Sequence, residues 1–298
     1  MDRRSSLSGA GFALGSMFSV QLGAAVAVPV MALHGSAGIT ALRLLCAAVV
    51  LLVLVRPRLW RFDRRQWWAA ILLGLAMACM TLSFFEAVVR IPLGAATTID
   101  FLGPVSVAAM ALRGWPRLAL PALAGLGVLA TTQSGHGMLL DPVGVAFALA
   151  SGVGWGCYIV LMRHVGRLFT GHDGLCLSLL AAATVALPAA VLLDPAGLAL
   201  AQLPAAAGLA LLVPLIPYSL EMMALRRVDM GVFSILMSLE PAIGGALGFA
   251  VLDQSLTLQQ GFGVAVVVLA SAGAVYFAAR TAPSENYPGN IDEDILPG

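Results

Sequence analysis

Ten apolar runs divide the chain, at residues 10–32, 37–55, 67–88, 94–112, 118–133, 143–162, 174–193, 205–226, 231–252 and 258–279. Crossing the hydrocarbon core of a bilayer as a helix takes about 20 apolar residues, and most of the runs come near that length. Polar residues gather between the runs, so the pattern predicts an all-α membrane protein with ten transmembrane helices. The stretches between runs reach only about a dozen residues, too few for a soluble domain. Beyond Arg280 the chain turns polar, with Glu285, Asp292, Glu293 and Asp294, and residues 281–298 are expected to form a disordered cytoplasmic tail. Arg3 and Arg4 ahead of the first run imitate a signal peptide. That run is about twenty residues long and lacks a small-residue cleavage pattern, so it is read as a retained span.

The runs are not independent. A shift of 137 residues carries Gly15 to Gly152, Phe18 to Trp155, Arg90 to Arg227, Gly94 to Gly231 and Pro104 to Pro241. The chain therefore divides into a first five-helix unit, 1–137, and a second, 138–280. Arginine placement sets their orientation. With the N-terminus in the cytoplasm, fourteen of the sixteen arginines fall on cytoplasmic stretches, Arg90 lies outside and Arg43 lies within a span. Such a bias is the positive-inside signature. Both termini are then cytoplasmic, as an even number of spans requires. Five spans per unit is odd, so the second unit enters the membrane from the opposite side. The two form inverted repeats about an axis in the membrane plane, the arrangement that lets a carrier alternate between two faces.

Composition narrows the function classes. The chain is 60% hydrophobic and 10% charged, against about 25% charged in soluble domains. A net charge of +1 gives no basic face for nucleic acid. Cys46, Cys79, Cys157 and Cys176 lie in apolar stretches, without CxxC spacing or a histidine cluster, and read as packing residues. His34, His136, His164 and His172 fall in predicted loops, and no metal site is expected. Glycines crowd the first and sixth runs (Gly11, Gly15, Gly23; Gly144, Gly152, Gly154, Gly156), where small residues let helix backbones approach. They follow no strand, so they are not a phosphate cradle. No HExxH, GxSxG or serine–histidine pairing marks an enzyme, and no cofactor is implied.

Charges inside the spans are the candidate chemistry, since each costs about 2.5–3.5 kcal/mol at mid-bilayer on insertion scales. Arg43 and Asp100 are each the seventh residue of their span from the outer end, roughly 10 Å deep at the helical rise. They can form a fixed ion pair, or meet the carboxylate and ammonium of a zwitterionic substrate. Glu240 sits near the midplane directly before Pro241, which frees the carbonyl of Met237 from its helical bond. Pro104 is the corresponding helix-breaking proline of the first repeat. Glu240 can be a binding or proton-carrying group, or simply a kink residue. Glu86 near the outer interface and Glu221 near the inner one are candidates for gating or coupling, or reach headgroups. Trp155 and Tyr158, with Gln21 as the repeat partner of Tyr158, can line a cavity floor or pack in the core.

These residues resemble the EamA-type branch of the drug/metabolite transporter superfamily, over nearly all of the chain to about residue 280. Pro217-Tyr-Ser-Leu-Glu221 and Leu236-Met-Ser-Leu-Glu-Pro241 are similar to spans 8 and 9 of its threonine/homoserine exporter group. Ile91-Pro-Leu-Gly94 and Phe101-Leu-Gly-Pro104 match in the first half, with Asp100 where glutamate is usual. The resemblance implies a carrier in the bacterial inner membrane that exports small neutral amino acids. Its partners are the lipid bilayer and a zwitterionic solute, and a monomer suffices. The alternatives are an exporter of other small metabolites or drugs, and a non-transporting membrane scaffold.

Overall fold

The computed structural model describes residues 3–110, 112, 114–132, 140–169, 172–193, 198–225, 227 and 236–281. The polar tail 282–298, His136, and residues 228–235 with Gly231 lie outside the described residues, as does the side chain of Glu221. Among the described residues all regular structure is helical. Three long helices open the chain: α1 (Arg3–His34), α2 (Ser36–Val55) and α3 (Arg64–Val88). Then come α4 (Leu93–Asp100), α5 (Leu102–Met110) and α6 (Pro116–Thr132). The second half has α7 (Pro142–Leu168), α8 (Asp173–Leu193), α9 (Leu203–Ala210), α10 (Ile216–Leu225), α11 (Glu240–Leu252) and α12 (Leu258–Thr281). Seven described helical stretches are long and apolar enough to cross a membrane, with α4 and α5 counted as one, and three shorter apolar ones accompany them.

Local chemistry sets several ends. Asp63 accepts the Gln66 amide N–H at 2.7 Å while Gln66 accepts the Asp63 N–H at 2.9 Å, a reciprocal cap that starts α3. Asp141 accepts from the N–H groups of Val143 and Gly144, with Pro142 in the first turn of α7. Tertiary packing follows a definite set of neighbours. Helix α3 packs on α7 and α8, α1 on α10 and α11, and α2 on α8 and α9. Helix α4 packs on α7 and α11, α5 on α6 and α7, and α6 on α12. Two of these contacts bring backbones together. A Cβ on Gly103 would stand 2.0 Å from the Gly152 carbonyl oxygen, and one on Gly263 would stand 2.5 Å from that of Gly127. Large apolar side chains remain exposed around the bundle, Phe18, Leu54, Leu126, Leu192, Phe249 and Phe262 among them. Lipid is the solvent that suits such a surface.

Three interruptions mark the interior. The run 94–112 breaks at Phe101, between α4 and α5, three residues ahead of Pro104. Pro104 has no N–H for the Asp100 carbonyl four residues earlier, and its ring crowds that carbonyl. The turn at Ser238–Leu239, directly before α11 and Pro241, is the counterpart of Phe101 under the shift of 137. The third was not expected from sequence: the run 205–226 is not one helix. Residues Leu211–Leu215 wind loosely between α9 and α10, with Val213 at φ −150° and ψ 110° and a cis Val213–Pro214 peptide. Pro214 excludes the regular bond to Ala210. Ser19 on α1 instead donates to the Leu212 carbonyl at 3.0 Å.

Candidate functional site

All three interruptions border one cavity of about 130 Å³. Helix α1 contributes Val20, Gln21 and Ala24, α2 contributes Arg43, and α3 contributes Met80, Thr81, Phe84 and Phe85. Thr97 and Asp100 come from the end of α4, Phe101 from the break that follows, and Ser151 and Trp155 from α7. Val213 and Glu240 complete the wall from the other two interruptions. Non-helical backbone inside a bilayer is tolerated where it is buried in protein or lines a cavity, and here it does the second.

The walls are mostly apolar, and three of the polar groups in them are ionisable. Arg43 is 3% exposed, Glu240 5% and Asp100 6%. The Arg43 guanidinium carbon lies 4.4 Å from the centre of the Phe85 ring, an attraction for the ring's negative face. Gln21 bridges the two halves by donating through Nε2 to Glu240 Oε1 at 3.1 Å. The Asp100 Oδ1 oxygen is buried without a hydrogen-bond partner. Ser151 stands beside the Asp100 carboxyl and donates to the Met80 carbonyl at 3.0 Å. Phe101 and Trp155 meet edge to face at 5.3 Å. The site therefore offers a fixed cation, two carboxyl groups and aromatic faces in a space too small for a bulky solute.

Of the residues singled out from sequence, the structure brings Gln21, Arg43, Asp100, Trp155 and Glu240 to this cavity. Tyr158 does not line it and packs against the apolar cluster of α2, α3, α7 and α8. Glu86 also stands apart: it accepts the Ser36 hydroxyl proton and pairs with Arg90. Pro104 and Pro241 occupy the first turns of α5 and α11. Phe85, Thr97, Ser151 and Val213 were missed from sequence. The Thr97–Thr98 pair shortly before Asp100 is the one local signal that marked this wall.

A second pattern recurs after α3 and after α10. Arg90 and Arg227 make the same set of contacts. Their backbone N–H groups bond to Ala87 and Ala224 at 2.9 and 2.8 Å, three residues back. Their Nη1 atoms donate to the carbonyls of Glu86 and Met223, four residues back, at 2.7 and 3.0 Å. The Arg90 guanidinium lies 5.2 Å from the Phe147 ring on α7, and that of Arg227 lies 4.9 Å from the Phe12 ring on α1.

Comparison with known proteins accords with this architecture. The model of the EamA-like transporter family matches residues 142–276. The threonine/homoserine exporter RhtA of Salmonella typhimurium (strain LT2) is 33% identical over 89% of this chain and 90% of its own. The protein of the same name from Escherichia coli (strain K12) is 32% identical over 87% and 88%. A solved crystal structure shares the fold over 95% of this chain and 100% of its own, with a TM-score of 0.59 at 19% identity. This chain therefore belongs to the EamA-like transporter family, and it is a multi-pass transport protein of the bacterial inner membrane.

Proposed function

We propose that this protein exports small neutral amino acids of the threonine and homoserine kind, by alternating access through ten spans arranged as two inverted five-helix repeats. The observation that carries the substrate reading is the burial of Arg43, Asp100 and Glu240 around one cavity. Arg43 is the group for a substrate carboxylate, and Asp100 and Glu240 are the groups for its ammonium. The names of the relatives point the same way. A cavity of about 130 Å³ favours such a solute over drug-sized ligands, which occupy about 300–1,000 Å³.

The helix neighbours support the inverted repeat. Let each span exchange with the one five places on. The α3–α7 contact becomes α10–α1, α3–α8 becomes α9–α2, and α4–α7 becomes α11–α1, and every one of these pairs is present. The pairs α2–α8, α4–α11 and α6–α12 map onto themselves. Arginine placement supports cytoplasmic termini, which puts Arg90 at the outer face and Arg227 at the inner one. Each is then a latch between the last turn of one repeat's third span and the first span of the other repeat. Alternating access opens one latch at a time.

Counterflow of labelled threonine into proteoliposomes tests the proposal. The parent protein accumulates label, and Asp100→Asn loses at least about tenfold of the rate, as removal of a charge-assisted contact costs 1.5–3 kcal/mol or so. Undiminished counterflow in Asp100→Asn refutes the ammonium contact. No counterflow by the parent protein with any neutral amino acid refutes the export reading.

A further inference from the structure

We infer that Gln21 reads a hydrogen-bond donor on the substrate side chain, so that the cavity takes hydroxylated amino acids in preference to their aliphatic isosteres. The inference rests on the export reading and adds to it the feature that selects among neutral amino acids.

Gln21 lies in the middle of α1 and is 1% exposed. Its amide is held in one orientation. Nε2 donates to Glu240 Oε1, and a carboxylate offers only acceptors, so the amide must give it an N–H and turn its own carbonyl oxygen away. That oxygen, Oε1, is buried without a hydrogen-bond donor. One hydroxyl close by belongs to Thr97. Both atoms crowd the same point, since a Cβ on Gly244 would stand 2.7 Å from Thr97 Oγ1 and 3.1 Å from Gln21 Oε1. The Thr97 hydroxyl proton is already committed to the carbonyls of Leu93 and Gly94, at 2.9 and 3.2 Å. Gly244 has no side chain to offer. Gln21 and Thr97 both line the cavity, so the missing donor can come from its occupant.

An amino acid brings a carboxylate for Arg43 and an ammonium whose three N–H groups go to the charged acceptors, Asp100 and Glu240, in preference to a neutral amide oxygen. Neither is left for Gln21, and an uncharged donor on the side chain completes the set. A buried acceptor left unmatched is costly, so a ligand lacking that donor is rejected by more than its lost contact.

The test is counterflow by the full-length protein with two isosteric pairs, threonine against valine and homoserine against norvaline. In each pair a methyl group replaces the hydroxyl. The parent protein is expected to favour the hydroxylated member by about tenfold or more in apparent affinity. Gln21→Met, which keeps length and removes the strong acceptor, is expected to bring that ratio to about one. The ratio within one preparation is independent of how much protein has folded. The comparison in the parent protein stands alone should the variant not fold. Equal handling of both members by the parent protein, or full selectivity in Gln21→Met, overturns the inference and leaves export standing. Absence of counterflow with every neutral amino acid overturns the export reading and this one together.

Discussion

At the scale of single residues, the cavity is a set of charges that lipid would not tolerate and protein neighbours answer. Arg43 is answered in part by an aromatic face, and cation–π contacts of this kind are worth about 0.5–2 kcal/mol. Phe85→Leu should therefore raise the threonine concentration needed for half-maximal counterflow by roughly two- to thirty-fold. Phe85→Tyr, which keeps a ring, should restore it. Equal effects of the two variants would show that volume and not the ring face matters. Arg43, Asp100 and Glu240 were legible in the sequence because a charge in an apolar run stands out whatever its surroundings. Phe85 was not, since a helix apolar on every side carries no stripe to reveal which face turns inward. Tyr158 illustrates the same limit: its counterpart under the shift, Gln21, lines the cavity, whereas Tyr158 packs against the apolar cluster of α2, α3, α7 and α8.

At the scale of elements, backbone contacts and backbone interruptions divide the labour. Where Gly103 meets Gly152, an added methyl has nowhere to go but into a carbonyl oxygen. Gly103→Ala should lower the thermal stability of the purified protein by the equivalent of 1–3 kcal/mol or so, as overpacking does. Gly125→Ala, with nothing within 4 Å of its new carbon, serves as the control and should not lower the melting temperature, since alanine is favoured over glycine in a helix interior by about 1 kcal/mol. Seven membrane-capable helical stretches fall on the apolar runs, and two of the three interruptions were readable from repeated prolines. Proline alone was a poor guide. Pro29, Pro121 and Pro188 sit inside helices that continue past them, while Pro214 accompanies a break that sequence reading missed. At Pro214 the neighbouring helix takes part, since Ser19 of α1 donates to the Leu212 carbonyl, and no local pattern around Pro214 announces it.

At the scale of the whole molecule, the two arginine sites resemble each other but are not equal. Arg90 has an ion pair with Glu86, which also holds Ser36, whereas the position matching Glu86 at the other end is Met223. On the proposed topology the outer latch is the stronger one, and this would favour a resting carrier open to the cytoplasm, as loading for export requires. Glu86→Met makes the latches alike and should shift the population outward. A cysteine replacing Thr81 in the cavity wall, with the four native cysteines removed, should then react faster with an impermeant thiol reagent added outside. Unchanged reactivity would count against the latch. Reporter fusions at both chain ends should register in the cytoplasm, and opposite sides would defeat the inverted topology. The shift of 137 residues pairs Arg90 with Arg227 in the sequence, but the inequality of their two sites emerges only when Glu86, Ser36 and Arg90 are seen together.

The bond from Ser19 to the Leu212 carbonyl joins α1 to the unwound stretch of the other half. Drawing those two apart strands a main-chain oxygen at the edge of an apolar chamber, where only water can reach it. Separation at that seam and hydration of the chamber must then proceed as one event, so the passage cannot widen while staying dry.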